Sequence, residues 1–238
     1  MKDYRHLIKK GDIPSHVAVI MDGNRRWAKN KSLPRSEGHR RGAEVIEPLM
    51  DAAMDLGIKV VSLYAFSTEN WMRPRTEIAS LWKLLDYFFK AKIDVITSKG
   101  VRIKHSGLDA MLPASTYETI ARAVDATRHN RRLILNFCVN YGGQQEIVHA
   151  VNSWLETRKG GEKISTGKLE RNLFTAELPP VDLMIRTGGE CRISNFLIWQ
   201  IAYAELLFMD VLWPDFSPRH FYKSIYDYQQ RERRFGGI

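Results

Sequence analysis

The stretch HVAVIMDGNRRWA, residues 16–28, decides the fold. Residues 16–21 are apolar apart from His16, and such a run predicts a short buried strand. Strands that are apolar on both faces are typical of parallel sheets covered by helices. Asp22 and Gly23 follow at once, so the predicted strand ends in a polar turn, the place where α/β proteins commonly hold ligands.

Helix and strand patterns alternate along the rest of the chain. Apolar residues at helical spacing predict a helix over residues 38–56, ended by Gly57, and a long helix over residues 77–96 with a wide apolar face. The further predicted elements are strands over residues 59–66, 101–105, 132–139 and 181–186, a helix through Ile120 and Val124, and a helix after Gly142. This alternation predicts an α/β fold with a central, mostly parallel β-sheet flanked by helices.

The length of the chain, 238 residues, fits a single domain. We interpret residues 1–238 as that domain, with residues 1–15 as an N-terminal extension and residues 231–238 as a basic C-terminal tail. The most loop-like interior stretch, residues 159–163, marks no domain boundary.

Composition limits the partners and the compartment. The formal net charge is +9, from 36 basic and 27 acidic side chains, so we expect an anionic partner: nucleic acid, anionic lipid or phosphorylated substrate. Cys138 and Cys191 lie far apart and outside any CxxC spacing, which argues against a disulfide framework or a thiolate zinc site. A reducing, cytoplasmic location is therefore expected. Neither a signal sequence nor a membrane span is recognisable, because polar residues interrupt even the apolar stretch 195–213.

The turn after the first strand is the strongest local signal for chemistry. Gly23 lets the backbone bend towards a ligand, successive N–H groups can cradle oxyanions, and Asp22 can hold Mg²⁺ against them. These groups together suit a diphosphate. The alternative is an ordinary strand-to-helix turn in which Asp22 caps the helix.

A second polar cluster, STENWMRPR, occupies residues 67–75 directly after the strand that ends at Phe66. It places hydroxyl, carboxylate, amide, indole and guanidinium groups in one loop at a strand end, which indicates a ligand site. The alternative is a solvated connector with Trp71 folded back on the core.

A third cluster begins where the predicted strand over residues 181–186 ends. Arg186 is followed by a Gly-Gly turn and then by Arg192 and Ser194, so two guanidinium groups and a hydroxyl are available for a second diphosphate. Structural salt bridges are the alternative. Glu205 lies in an apolar, helix-like run, where a carboxylate is expected only if it is paired, bound to a metal or at an interface.

Other phosphate-binding motifs are missing from the sequence. There is no GxGxxG, and residues 161–168 miss the P-loop spacing and lack its Mg²⁺-binding hydroxyl. The chain also has no adjacent pair of aspartates, so the DDxxD magnesium motif of trans-prenyl synthases is missing. Any diphosphate chemistry must therefore use another arrangement.

From residue 16 to the C-terminus, the sequence resembles the undecaprenyl diphosphate synthase family of cis-prenyltransferases. The blocks that carry the resemblance, in the family's order, are HVAVIMDGNRRWA, EGHRRGAE, LYAFSTENWMRP, NYGG, VDLMIRTGGECRISNFLIWQIAYAELLF, VLWPDF and RERRFGG. The resemblance implies a Mg²⁺-dependent homodimer with a hydrophobic tunnel between helices and sheet. It implies that isopentenyl diphosphate units are added to an allylic diphosphate, expected to be farnesyl diphosphate. The product would be a long polyprenyl diphosphate, expected to be undecaprenyl diphosphate, the precursor of the lipid carrier for cell-wall glycan synthesis.

The resemblance also implies roles for individual residues. Asp22 would hold Mg²⁺, with Glu205 contributing to the metal site. Gly23, Asn24, Arg26 and Arg35 would grip the allylic diphosphate, with His39 close by. Arg25 and Trp27 are further implied substrate-binding residues. The loop that closes over the substrates would supply Ser67, Glu69, Asn70, Trp71 and Arg73, next to Phe66 at the border of the tunnel. Isopentenyl diphosphate would bind Arg186, Arg192 and Ser194, and a terminal element containing Arg234 and Gly236 would reach the diphosphate of the neighbouring subunit. The candidate catalytic residues are Asp22, His39, Ser67 and Asn70.

Two departures from the family pattern stand out. Arg25 replaces the glycine of many bacterial members, and Gln144 follows Tyr-Gly-Gly where arginine is frequent. Neither is expected to abolish activity.

Nucleic acid is not an expected partner, because the basic residues cluster at strand ends with glycines rather than along one helix face. Delivery of the product to a membrane makes a peripheral membrane contact the further expectation.

Two other interpretations of the sequence, a phosphatase and a non-catalytic subunit, expect different residues at or near position 22. A haloacid-dehalogenase-like phosphatase with an aspartyl nucleophile at Asp22 expects a second acid two residues later, where this chain has Asn24. A non-catalytic partner subunit of the prenyltransferase family usually loses the motif aspartate, which is retained here. The base that removes a proton during condensation stays open among a substrate diphosphate oxygen, Ser67 acting through its neighbours, and His39.

Overall fold

The computed structural model describes residues 3–9 and 11–231. Its strands are β1 (His16–Ile20), β2 (Val60–Ser67), β3 (Val101–Ser106), β4 (Leu133–Tyr141), β5 (Leu183–Arg186) and β6 (Glu205–Phe208). Its helices are α1 (Asn24–Asn30), α2 (Arg35–Glu44), α3 (Ile46–Asp55), α4 (Arg75–Ser98), α5 (Ala114–Thr127), α6 (Gly143–Thr157), α7 (Thr166–Glu170) and α8 (Pro218–Gln229). Short 3-10 turns lie at Arg5–Leu7, Thr68–Met72 and Trp213–Asp215.

The strands form one sheet in the order β3-β4-β2-β1-β5-β6, and each neighbouring pair is parallel. Strand β1 is completely surrounded, because Val17 and Val19 pack into one apolar layer while Ala18 and Ile20 pack into the opposite one. This alternation explains why the strand is apolar at nearly every position. The prediction of an α/β domain with a parallel sheet between helices is confirmed.

The larger of the two layers is covered by helices α3, α4, α5 and α8, whose apolar side chains pack on the sheet. Helix α4 confirms the long helix predicted over residues 77–96, and its wide apolar stripe includes Ile78, Trp82 and Phe89. The smaller layer contains Phe196 and Leu197, which come from the irregular segment after β5. That segment therefore contributes to the core without being a regular helix.

The single helix predicted over residues 38–56 is wrong, because the structure has two helices, α2 and α3, separated at Val45. Pro48 supplies the reason. A proline lacks the N–H that would bond to the carbonyl four residues earlier, and its ring collides with that carbonyl. A helix containing residue 44 cannot run unbroken through Pro48, whereas a new helix tolerates proline in its first turn.

The helix-like interpretation of the run around Glu205 is also wrong. Residues 205–208 form strand β6, which pairs in parallel with β5 from Leu183↔Glu205 to Arg186↔Phe208. A short apolar run does not distinguish a strand from a helix turn, so its pairing with β5 decides the outcome. Within the described ranges, the helices also fall short of the length and apolarity that a membrane crossing requires.

Close packing of α1 against α2 positions two candidate site residues, Asn24 and His39. Gly38 makes this packing feasible, because a Cβ at this position would lie 2.1 Å from the backbone oxygen of Asn24 and 3.2 Å from the Cβ of Ala28. A backbone atom cannot rotate away as the end of a side chain can. Any larger residue at position 38 must therefore push the two helices apart.

We expect Gly38→Ala to destabilise the protein by about 1–3 kcal/mol, the usual cost of forcing extra atoms into close packing. The matched control is Gly161→Ala, because the added Cβ there meets nothing within 4 Å. Urea denaturation of both variants measures the difference. Equal stability of the two would show that α1 and α2 are not held at this separation.

Candidate active site

The three polar clusters meet at one edge of the sheet. In a parallel sheet the carboxyl ends of the strands point the same way, and Ile20 at the end of β1 lies in register with Arg186 at the end of β5. Strand β2 ends at Ser67 on the other side of β1. Asp22, Ser67 and Arg186 therefore lie around a common cleft, as expected for ligand sites of α/β sheets.

The carboxylate of Asp22 is held from two sides. Its Oδ1 accepts a hydrogen bond from the backbone N–H of Gly23 at 2.6 Å, and its Oδ2 accepts one from Nη2 of Arg186 at 2.9 Å. Nη2 of Arg26 lies 3.4 Å from Oδ1. The side chain remains 32% exposed, so these contacts leave part of the carboxylate facing the cleft.

The backbone of the Asp22 turn is fixed as firmly as its side chain. The Asp22 carbonyl accepts hydrogen bonds from the hydroxyl of Thr187 at 2.8 Å and from the N–H of Trp213 at 3.0 Å. Gly23 has a φ of 107°, and a Cβ there would lie 2.9–3.1 Å from Leu212. Position 23 therefore requires glycine both for its conformation and for its space. Gly23, rather than Asp22, precedes helix α1 as its N-cap residue.

Arg186 links the first and third clusters. Its side chain is only 5% exposed, and its Nη1 donates to the hydroxyl of Ser194 at 2.8 Å and to the carbonyl of Arg192. A buried guanidinium needs such partners, and Asp22 supplies the counter-charge. Arg192 differs, since its side chain is 61% exposed and pairs with Glu190. Each arginine thus forms one salt bridge, as the alternative interpretation of this cluster expected. Both arginines nevertheless line the cleft.

The second cluster forms the 3-10 turn Thr68–Met72, which Ser67 and Asn70 stabilise by a reciprocal capping arrangement. The carboxylate of Glu69 accepts a hydrogen bond from the amide of Asn195 at 2.8 Å, so this turn is tied to the segment after β5. Ser67, Glu69 and Asn70 all line the cleft. The turn is therefore ordered by its own side chains and by its neighbour across the cleft.

Trp71 points back into the protein, as the alternative interpretation of this loop required. Its indole N–H donates to Oδ1 of Asn140 at 2.8 Å, and its ring packs against Phe66 and Trp82. Asn140 has a φ of 50°, a conformation that asparagine tolerates better than most residues. Trp71 thus anchors the loop from beneath while Phe66 faces the cavity.

His39 lies on α2 at the side of the cleft. Its Nε2 is buried and has no hydrogen-bond partner in the described part of the chain. Burial lowers the pKa of His39 to about 4, and the nearby cations Arg73 and Arg25 lower it too, whereas Glu77 opposes them. His39 is therefore a neutral imidazole near pH 7, with one nitrogen available to a ligand.

Sequence reasoning missed Glu77. Its side chain is only 9% exposed, and its carboxylate lies within salt-bridge distance of Arg25, Arg35 and Arg73. The spacing of four residues between Arg73 and Glu77 on the turn into α4 was the available signal. The other two arginines are distant in sequence, so only the fold brings the four side chains together.

An apolar cavity of about 670 Å³ opens directly beside these charged groups. Its apolar wall includes Ile46, Ala65, Phe66, Trp82, Leu85, Phe88 and Phe137. A neighbouring cavity of about 820 Å³ between α2 and α4 shares His39, Ala43, Leu81, Leu84 and Phe88 with the first. The site therefore combines an apolar space with a charged rim, which suits a ligand that has both a hydrocarbon part and an anionic part.

A family model described as putative undecaprenyl diphosphate synthase matches residues 20–236. The chain belongs to the undecaprenyl diphosphate synthase family of prenyltransferases. It is 48% identical over 234 residues to an isoprenyl transferase of Leptospira interrogans, covering 96% of this chain and 97% of the relative. An isoprenyl transferase of Bacillus subtilis is 47% identical over 235 residues, with 97% and 90% coverage.

Solved structures agree with this prenyltransferase assignment. One match is lavandulyl diphosphate synthase from Lavandula x intermedia, solved in complex with dimethylallyl diphosphate. Its TM-score is 0.90 and its sequence identity is 30%, over 94% of this chain and 99% of that chain. A probable undecaprenyl diphosphate synthase from Campylobacter jejuni matches with a TM-score of 0.81 and 33% identity, with the same coverage. The resemblance noted in the sequence blocks is thereby confirmed as family membership.

Besides Trp71, the side chains of Trp27 and Glu205 lie away from the cleft of this prenyltransferase. Trp27 is buried, its indole N–H donates to Asp215 at 2.8 Å, and it is not among the described residues that line either cavity. Glu205 is in register with Leu183 and hence with Val17, at the opposite end of the strands from Asp22. A metal site formed by Asp22 and Glu205 of one chain is therefore wrong.

Other groups have partners that explain their positions. Glu205 pairs with Arg231 at 2.7 Å. Arg26 joins α1 to the turn after β5, since its Nη1 donates to the carbonyl of Gly188 at 2.6 Å. Arg234 and Gly236 lie outside the described residues.

The donor set at Asp22 fits Mg²⁺ in one particular way. Residues 3–9 and 11–231 contain no cluster of three or more histidine, cysteine or acidic side chains that could hold a metal by itself. Mg²⁺ commonly binds through one or two carboxylates, water and the phosphates of a substrate, rather than in an all-protein cage. The partly exposed carboxylate of Asp22, beside a cationic cleft, matches that pattern.

We expect the pKa of His39 to lie well below its ordinary value of 6.5, at about 4. Arg73→Gln should raise this pKa, because it removes a nearby positive charge. Because the folded protein resists protonation of His39, stability should fall as the pH drops from 6.5 towards 4. NMR titration of the imidazole measures the pKa, and denaturation at several pH values measures the stability. A titration of His39 near pH 6.5 would contradict its burial.

Proposed function

We propose that this chain is a Mg²⁺-dependent cis-prenyltransferase that condenses isopentenyl diphosphate units onto an allylic diphosphate, with farnesyl diphosphate as the primer. The product is a long polyprenyl diphosphate, undecaprenyl diphosphate, the precursor of the lipid carrier for cell-wall glycan synthesis. The observation that carries the proposal is the position of the apolar cavity directly beside Asp22 and the surrounding arginines. A prenyl diphosphate has the same division into a hydrocarbon chain and an anionic end.

The two diphosphates have separate corners of the cleft available to them. Arg25, Arg35 and Arg73 meet at one corner, near His39. Arg186 and Arg192 lie at the other corner with Ser194. We assign the first corner to the allylic diphosphate and the second to isopentenyl diphosphate. The solved relative that binds dimethylallyl diphosphate supports an allylic ligand for this fold.

The residues around Asp22 would hold Mg²⁺ through the aspartate carboxylate, together with substrate oxygens. Bound there, the ion would neutralise the charge that develops on the departing diphosphate. The arginines stabilise the same developing charge by charge-assisted hydrogen bonds. Gly23 holds the Asp22 carboxylate in place for this role, because its backbone N–H donates to Oδ1 of Asp22.

Breaking the allylic C–O bond leaves a carbocation, which the double bond of isopentenyl diphosphate captures. The apolar cavity wall excludes water that would otherwise quench the cation. A proton must then leave the new allylic unit. Neutral His39, with its unpartnered Nε2, is one acceptor; Ser67 acting through Asn70, and a substrate diphosphate oxygen, are the others.

The proposal includes a homodimer, a cytoplasmic location, no nucleic-acid partner and peripheral contact with the membrane that receives the product. Strand β6 lies at the edge of the sheet in the order given above, and such an edge is a common place for pairing between chains. Within one chain Glu205 is remote from Asp22, so a role for Glu205 at a metal would require the partner chain.

We expect Asp22→Asn to lower turnover by roughly 100-fold or more, because the amide keeps an acceptor for buried Arg186 but loses the charge that places the metal. Asparagine is preferable to alanine, since alanine would also deprive the buried Arg186 guanidinium of the hydrogen-bond acceptor at position 22. The assay uses Mg²⁺, farnesyl diphosphate and labelled isopentenyl diphosphate, with extracted lipids sized by chromatography.

The control for this experiment is Asp55→Asn, which alters a carboxylate paired with Arg5 and Tyr222 away from the cleft. It should retain the activity of the unmodified protein. Normal turnover of folded Asp22→Asn at saturating Mg²⁺ would exclude the assignment of Asp22. Failure of the unmodified, folded protein to make any labelled lipid would refute the proposed function itself.

We expect Ala65→Leu to shorten the products while largely preserving the first condensations. Ala65 lies at an irregular position of β2 and lines the cavity, so a leucine would fill space that a growing chain must occupy. Ala79→Leu, on the exposed side of α4, is the control. Product sizing by chromatography gives the result, and an unchanged distribution from stable Ala65→Leu would show that this wall does not limit length.

A further inference from the structure

The carboxylate of Glu77 is the meeting point of three arginines. Nη1 of Arg73 lies 3.3 Å from Oε1, Nε of Arg25 lies 3.7 Å from the same oxygen, and Nη1 of Arg35 lies 3.3 Å from Oε2. Both carboxylate oxygens are engaged, and the side chain is 9% exposed. A carboxylate this buried is expected to be paired with opposite charge.

The three arginines belong to separate parts of the chain. Arg25 lies in α1, Arg35 begins α2, and Arg73 lies between the 3-10 turn and α4. Their side chains are 45%, 60% and 29% exposed, respectively, so two of the three could extend into water. Three guanidinium groups at one corner repel each other, and Glu77 provides the charge that keeps them together.

Each arginine retains donors for a ligand. A guanidinium group has five N–H donors, and each contact with Glu77 uses one nitrogen. Glu77 is carried by the long helix α4, and it lines the neighbouring cavity between α2 and α4 rather than the cavity beside Asp22. The arrangement has three positive charges and one negative charge. It therefore keeps an excess of positive charge for an incoming anion.

We propose that Glu77 is a positioning residue that gathers Arg25, Arg35 and Arg73 before the allylic diphosphate binds. The inference rests on the proposed prenyl transfer and names the group that organises one of its two diphosphate corners. Arginines that are already converged lose little freedom when the ligand arrives, so less of the binding energy is spent on ordering them. Isopentenyl diphosphate, at the Arg186 corner, depends on other contacts.

The test compares Glu77→Gln with Glu47→Gln in the full-length protein. Glu47 is the matched control, because it is a partly buried carboxylate on α3 that pairs with two cations, Lys92 in α4 and Lys99 directly after it, and it lines neither of the two large cavities. Steady-state kinetics give KM for farnesyl diphosphate and for isopentenyl diphosphate separately. Calorimetry with farnesyl thiolodiphosphate, an unreactive analogue, gives binding without turnover.

We expect Glu77→Gln to raise KM for farnesyl diphosphate and weaken binding of the analogue by roughly tenfold, the effect of one lost charge-assisted contact. KM for isopentenyl diphosphate should change less than about twofold. Glu77→Asp, which keeps the charge on a shorter side chain, should recover part of the loss. Because the guanidinium groups of Arg25 and Arg35 are about half exposed, salt should screen them, and the difference between Glu77→Gln and the unmodified protein should shrink at high salt.

Three outcomes would overturn the inference. Kinetics of Glu77→Gln equal to those of Glu47→Gln, even with lower thermal stability, would show a purely structural role. Tighter binding of the analogue would show that the Glu77 carboxylate competes with the ligand. A larger effect on isopentenyl diphosphate would assign the arginines to the other substrate. Absence of prenyl transfer by the unmodified protein would instead refute the proposed function, and the calorimetry would still report on Glu77.

Discussion

The ion pair between Asp22 and Arg186 is the interaction on which the rest of the cleft depends. Strands β1 and β5 are in register at Ile20↔Arg186, so the pair joins the end of β5 to the turn that follows β1. The guanidinium is almost completely buried, and a buried charge is tolerated only with a counter-charge and further hydrogen bonds. By also donating to Ser194, Arg186 fixes the segment after β5 relative to the first motif.

Charged side chains and apolar side chains line different parts of the same cavity. The carboxylate of Asp22 and the arginines surround the mouth, while Phe66, Trp82 and Phe88 line the interior. His39 lies at the boundary, where burial and neighbouring cations keep its imidazole neutral. Low polarity around the cavity strengthens the electrostatic interactions at its rim, because water is not present to screen them.

The sequence predicts what depends on local pattern and strand direction. Residues 16–21 have the composition of a doubly covered strand, and parallel strands necessarily bring the three polar clusters to one edge. Pattern alone could not place Glu205, because a short apolar run fits either a helix or a strand and only pairing with β5 decides. Nor could it find Glu77, because helices α2 and α3 and strand β2 lie between it and its partners Arg25 and Arg35 in the sequence.

The net positive charge of the chain is compatible with nucleic acid, anionic lipid or a phosphorylated substrate as partner. The positions of the charged side chains in the fold favour one of these classes. Around the cleft, the carboxylates of Asp22, Glu69 and Glu77 lie among six arginines, so cations exceed anions at a concave site; the arginines are Arg25, Arg26, Arg35, Arg73, Arg186 and Arg192. Nucleic acid needs an extended basic surface, whereas this excess is concentrated at the mouth of an apolar cavity. A small ligand with several negative charges and a hydrocarbon tail satisfies both features at once. This is the physical reason that the proposed substrates are diphosphates of prenyl alcohols.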